Sequence, residues 1–137
     1  MKAYKIFRVI DGELYSSMAR GKALIHYRPG KKSKGKVFSV ISQQRKIRNP
    51  IFAFQTMKDA LAFLGFCSQD LFELWEVEGI PWRKKFIGWS YWDTIHEKGY
   101  VYNLEQVSNL KHFSYAPRGI ICLQTCTPIR KVKVGRR

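Results

Sequence analysis

The sequence predicts an α+β domain, mostly antiparallel sheet with one principal helix at about 57–66. Three observations carry that prediction. Short runs of β-branched and aromatic residues alternate with turn chemistry such as Asp11-Gly12 and Pro29-Gly30. A single segment, after Thr56, has helical apolar spacing. The length of 137 residues at 45% hydrophobic content supplies one core and leaves no room for a second domain. No repeat, low-complexity tract or Pro- or Ser-rich linker divides the chain, so residues 1–137 read as a single compact domain.

Ala3 to Ile10 is the first strand. Asp11-Gly12 supplies positive-φ turn chemistry, which returns Glu13 to Ser17 as a hairpin partner. Gly21 to Tyr27 is a third strand, ended by Pro29-Gly30, and Val37 to Ile41 is a short strand or part of a basic loop. Ile51 to Phe54 is a buried strand leading into the helix. Thr56 is its N-cap, with Asp59 three positions later in a variant of the capping box. Met57, Ala60, Leu61 and Leu64 recur at helical spacing, Phe63 and Phe66 widen the apolar face, and the helix ends near Gly65. Asp70 to Val77 is a further strand, broken by Gly79 and Pro81. Residues 82–102 are aromatic-rich and resist assignment, and Gly119 to Thr125 is a late strand.

Charge is the strongest functional signal. The chain has 25 Lys+Arg against 10 Asp+Glu, a formal net charge of +15. Residues 1–48 hold net +11, residues 49–78 net −4, and residues 106–137 net +7. Eight basic residues and no acid lie between Arg28 and Arg48, with Arg28, Lys31, Lys32 and Arg45 as candidate ligand contacts. A second basic run at 130–137 reads as a tail. Like charges this dense repel unless solvated or neutralised, and basic stripes of this kind match phosphate-bearing partners.

Catalytic and metal motifs are scarce. The sequence has no phosphate-cradling loop of the Gly-x-x-x-x-Gly-Lys-Ser/Thr type, no Gly-x-Gly-x-x-Gly and no Gly-x-Ser-x-Gly. His26-Tyr27 with a distant glutamate could imitate the His, Tyr and Glu set of NAD-binding ADP-ribosyltransferases, but a structural role is the simpler reading. Cys67, Cys122 and Cys126 are an odd, widely spaced set, unlike a secreted disulfide framework. On one extended strand Cys122 and Cys126 would sit roughly 13 Å apart, beyond the ~7 Å a disulfide tolerates. Reduced thiols in a cytoplasmic protein, with no metal and no cofactor, are expected. The longest strongly apolar stretches stay below about ten residues, too short to span a bilayer, and no apolar signal core follows Met1 to Lys5.

Rings interleave with cations in two places. Pro81 to Trp92 includes Arg83, Trp89 and Trp92, a composition suited to stacking nucleobases while cations hold phosphate. His112 to Gly119 puts Phe113 and Arg118 in a turn ahead of a buried strand. Arg8 and Tyr27 join these as candidate contacts. The alternative for the tryptophans is a core or a subunit interface, and a homo-oligomer suits so aromatic a chain.

The first part of the chain resembles a family of small, largely uncharacterised phage and prophage proteins. The shared pattern is Tyr4-Lys5-x-x-Arg8, Asp11-Gly12-x-Leu14-x-Ser16, Tyr27-x-Pro29-Gly30, Phe52-Ala53-Phe54-x-Thr56-x-x-Asp59-Ala60-x-x-Phe63 and Leu74-Trp75-Glu76. It covers roughly residues 4–76 and is mainly structural; residues 31–48 and the C-terminal part lie outside it. The resemblance implies a viral setting in the cytoplasm of an infected bacterium, where small non-enzymatic proteins disarm host defence. The expectation is therefore a non-catalytic protein that binds a phosphate-rich nucleotide and sequesters an immune signal. The alternatives are a nucleic-acid-binding protein, including one acting on a nucleic-acid-guided defence complex, and an enzyme acting on NAD or a nucleotide.

Overall fold

A hairpin begins the chain. In the computed structural model, which describes residues 1–17, 24–40, 45–48, 50–65, 71–82, 88–93, 98–102, 110–115 and 117–134, β1 (Lys2–Ile10) and β2 (Glu13–Ser16) pair as the sequence predicts. Asp11 and Gly12 have φ of 51° and 76°, the doubly positive pair a two-residue hairpin loop requires. That loop sets the register, Ile10 opposite Glu13 and Arg8 opposite Tyr15. β3 (His26–Tyr27) pairs with β2 but is shorter than the predicted strand over 21–27, whose first three residues lie outside those described.

The 28–48 segment contains strands. β4 (Ser33–Lys34) is followed by β5 (Val37–Val40) and β6 (Arg45–Arg48), which pair with each other, so the strand alternative for Val37 onward is the one adopted. β7 (Ile51–Phe54) leads into α1 (Met57–Leu64). Thr56 Oγ1 accepts the backbone N–H of Asp59 at 3.2 Å and donates to its carboxylate at 3.0 Å. The helix ends at Gly65 as the sequence predicts, that residue capping it in a right-handed conformation. Ala60 and Leu64 are buried and Leu61 half-buried, but Met57 is 39% exposed, one turn too early to reach the sheet. Eight residues form a marginal helix alone; the contact of Ala60 and Leu64 with Ile6, Phe54 and Leu74 supplies its support.

β8 (Phe72–Glu78) follows, then β9 (Gly88–Asp93), β10 (Lys98–Tyr102) and β11 (Leu110–Tyr115), which form a three-stranded antiparallel sheet of order β10-β9-β11. The chain finishes with β12 (Ile120–Leu123) and β13 (Thr125–Lys131). Arg130 and Lys131 thus belong to a strand, where the sequence reads a tail.

β1 organises the main sheet. β8 pairs with it from Lys2 to Arg8, while its other edge is shared by β7 near Tyr4 and by β2 from Phe7 onward. β12 extends β7, and β13 extends β8. The single strand predicted over Gly119 to Thr125 is instead broken at Gln124, because the chain leaving β8 competes for its hydrogen bonds. Gln124 donates its backbone N–H to Ile80 O at 2.7 Å and its side-chain amide to Pro81 O at 3.0 Å. Trp82 N–H then reaches Cys122 O at 2.9 Å, and Pro81 bridges to Leu123. The kink lets one continuous segment edge both ends of the sheet, which becomes a nearly closed, barrel-like antiparallel structure in a single compact domain, with one short helix among the described residues. Gly79 makes the closure possible: a Cβ there would lie 2.2 Å from Thr125 O.

Alternation sorts side chains to two sides. Ala3, Phe7, Leu14, Tyr27, Val77 and Leu123 meet inside the barrel, with Phe7 edge-on to Tyr27 at 4.9 Å between ring centroids. Ile6, Phe54 and Leu74 face outward beneath α1.

Candidate anion-binding surface

β4 lies against β13, with Lys34 opposite Thr125 and Ser33 opposite Cys126. The preceding turn is tied to the same strand: Gly30, at φ 76°, donates to Pro128 O at 2.8 Å. Two basic runs far apart in sequence are thereby joined on one sheet edge. Arg28, Lys31, Lys32, Lys34 and Lys36 are exposed along it, and none makes an ion pair with any described residue. Arg48 is also exposed and donates to Gly35 O at 2.9 Å, fastening β6 to the segment after β4.

The neighbouring cations are already neutralised. β8 carries the acids, and Glu76 receives Lys2 at 2.9 Å and Arg130 at 3.2 Å. Lys131 pairs with Glu73 at 3.1 Å, and the N-terminal ammonium with Glu78. The hydrogen bond from Lys2 is the main cause holding the Glu76 carboxyl below its usual range, and the same bond raises the Lys2 ammonium. The acidic strand therefore cancels charge on its own side and leaves the β4 edge as a run of unpaired cations among the described residues. An ion pair gains little at the surface, so the pattern matters for potential more than for stability.

A further predicted residue stands elsewhere. Arg8, on the outer face of β1, is half-buried; its Nε is buried and without a hydrogen-bond partner. Its cross-strand neighbours are Phe72 on β8 and Tyr15 on β2, and Tyr15 lies opposite His26 on β3. The Tyr15 and His26 rings stack, 4.7 Å between centroids and 17° between planes, and His26 Nε2 lies 2.6 Å from Glu13 Oε2.

Tyr27 is 1% exposed, in the barrel interior, where burial pushes its hydroxyl well above the usual range and Ser16 hydrogen-bonds to it. Beside it lies Lys5, 5% exposed, whose ammonium donates to Phe52 O at 2.6 Å and sits 5.7 Å from the centroids of both Phe7 and Tyr27. Burial lowers the Lys5 pKa to about 8 and pushes the thiols of Cys122 and Cys126 up to about 12 and about 11. Those cysteines are buried and free, hence poor nucleophiles and poor metal ligands. Among the described residues no cluster of three or more His, Cys, Asp or Glu could hold a metal ion, and no helix is long and apolar enough to cross a membrane.

Arg118 is exposed in the turn before β12, beside the start of α1, where Gln55 N–H bonds Gly119 O. Arg83 lies outside the described residues. Arg45, Trp89, Trp92 and Phe113 are placed by backbone register alone; positions 89 and 92 of β9 fall on opposite faces of its sheet. The structure thus gathers Arg28, Lys31 and Lys32 with Lys34 and Lys36, and sets Arg8 apart among Tyr15, His26 and Phe72. The Arg8–Tyr15 pairing was readable from the Asp11-Gly12 loop length; the His26 and Phe72 pairings carry no comparable local signal. No protein family, curated protein or solved structure matches this chain, so its function must be sought in its own geometry.

Proposed function

We propose that the protein binds nucleic acid through the phosphate backbone, along the edge formed by β4 on β13. The observation that carries this reading is the row of exposed Arg28, Lys31, Lys32, Lys34 and Lys36, which make no ion pair among the described residues while the acids of β8 occupy Lys2, Arg130 and Lys131. An extended line of cations on a strand and its flanking turn suits a polymer, whose charges repeat along its length. Binding of this kind positions the strand and reads no sequence. In the phage setting that the resemblance implies, such a surface would engage a strand of a nucleic-acid-guided defence complex.

Counterion release gives the test. Five neutralised phosphates predict that log K falls with log salt at a slope of about −4 to −5 on duplex, and about −3 to −4 on single strands. Anisotropy titrations of labelled 20-mers between 50 and 200 mM salt should therefore show affinity falling by roughly two orders of magnitude or more. Replacing Lys31, Lys32, Lys34 and Lys36 together by Gln should remove about three units of slope. A wild-type slope near zero would overturn the reading.

A further inference from the structure

We propose that the cross-strand row Phe72–Arg8–Tyr15–His26 is a site for an unpaired nucleotide unit, Arg8 taking its phosphate and the Tyr15–His26 ring pair its base. The proposal takes its ligand class from the nucleic-acid reading of the β4 edge, but stands on different residues.

Four adjacent strands, β8, β1, β2 and β3, each contribute one residue at the same level, because Arg8 is opposite both Phe72 and Tyr15, and Tyr15 is opposite His26. Directly opposed residues share a sheet face. Three inter-strand steps of about 4.8 Å make the row roughly 14 Å long, room for a base and its phosphate side by side. Phe72, Arg8 and Tyr15 are half-buried, and the His26 side chain is 34% exposed. Partial exposure leaves each side chain in contact with solvent, and because Tyr15 and His26 stack on each other, a base would have to stack on an outer face of the pair.

Arg8 has no ion-pair partner among the described residues. Its Nε is buried without a hydrogen bond. Arg8 as a whole is only half-buried, so a phosphate would meet the part of its guanidinium that reaches solvent, with the charge-assisted geometry at which that group excels. Next to it the Tyr15 and His26 planes lie 17° from parallel, already in a stacked arrangement. Glu13 orients the imidazole through its 2.6 Å contact and thereby fixes the ring pair before a ligand arrives. Stacking of this kind tolerates any base but requires one free of its complementary strand. The ligand chemistry is therefore a base with its phosphate, presented either by a free nucleotide or by a single strand.

The experiment compares three ligands on wild type, Arg8→Gln, Tyr15→Leu and His26→Ala, with thermal unfolding checking each fold. The ligands are a nucleoside monophosphate, a 20-mer single strand and the matching duplex. Loss of single-strand affinity by about 10-fold or more in each variant, with duplex affinity unchanged, supports the site. Tyr15→Phe, which keeps the ring, should restore binding. Monophosphate binding abolished by Arg8→Gln would identify the free nucleotide as sufficient. If single-strand and duplex affinities fall together, or neither falls, the row is not the site, while a salt slope lost in the lysine variant would leave the β4-edge reading standing. If wild type binds no polymer, that reading fails, and the monophosphate arm alone decides the row: binding lost in His26→Ala supports it, and no binding overturns it. His26→Ala, on the surface, serves if Arg8→Gln does not fold.

Discussion

Replacing Lys5 by Met should stabilise the protein at neutral pH and reverse sign at high pH. Lys5 is fully inside the barrel, and burial lowers its pKa from 10.5 to about 8. At about 1.4 kcal/mol for each pH unit, that gap makes the buried ammonium about 3 kcal/mol unfavourable to folding. The sign follows from proton counting. Below pH 8 both states hold the proton, and the native state bears the full desolvation cost. Between pH 8 and 10.5 the unfolded chain keeps a proton that the native chain has released, so stability rises with pH. Above 10.5 the cost has vanished. Met keeps the length of the side chain without its charge, but removes the donor to Phe52 O, which costs about 1 kcal/mol. The variant should therefore be more stable than wild type by about 2 kcal/mol at pH 7, and less stable by about 1 kcal/mol near pH 11. Urea unfolding of both proteins from pH 7 to 11 measures the difference. The thiols of Cys122 and Cys126, raised by burial from 9.0 to about 12 and about 11, work in the opposite direction, lowering stability as pH rises above 9. The Lys5 charge pulls both down, so its removal lets them rise further and adds to the variant's loss at high pH. A difference that stays constant across this range would refute the buried-ammonium argument.

Other outcomes follow from the packing. Gly79→Ala should destabilise by 1–3 kcal/mol or more, roughly, since its Cβ meets the backbone oxygen of Thr125 and only a shift in barrel closure relieves it; unfolding by denaturant checks this. Thr56→Ala should cost about 1 kcal/mol by removing the cap on Asp59 N–H, and Thr56→Ser should restore most of it. Cys122 and Cys126 should resist a thiol reagent at pH 8 in the native protein and react at rates that track unfolding, since both are buried and held as thiols; rapid labelling of either one under native conditions, measured in Cys67→Ser, would contradict that placement. Glu76→Gln frees Lys2 and Arg130 from their shared carboxylate, so duplex affinity should rise and its salt dependence steepen by up to about 2 units of slope.

Local chemistry was legible along the chain wherever one short segment decides its own geometry. Asp11-Gly12 specifies a two-residue loop, and the loop specifies Arg8 opposite Tyr15. Thr56 and Asp59 specify the helix start, and alternation puts Lys5 on the same face as Ala3 and Phe7. Tertiary structure decided what depends on segments distant in sequence. It turned that shared face into a closed interior, so Lys5 became a buried ammonium and Tyr27 its neighbour. It broke the strand predicted over Gly119 to Thr125, because Ile80 and Pro81 offer Gln124 hydrogen bonds that no local pattern reveals. It set β4 beside β13 and consumed Arg130, Lys131 and Lys2 against the acids of β8. Net charge belongs to composition, but which cations remain free for a partner depends on strand order, and strand order is settled by long-range hydrogen bonds and burial.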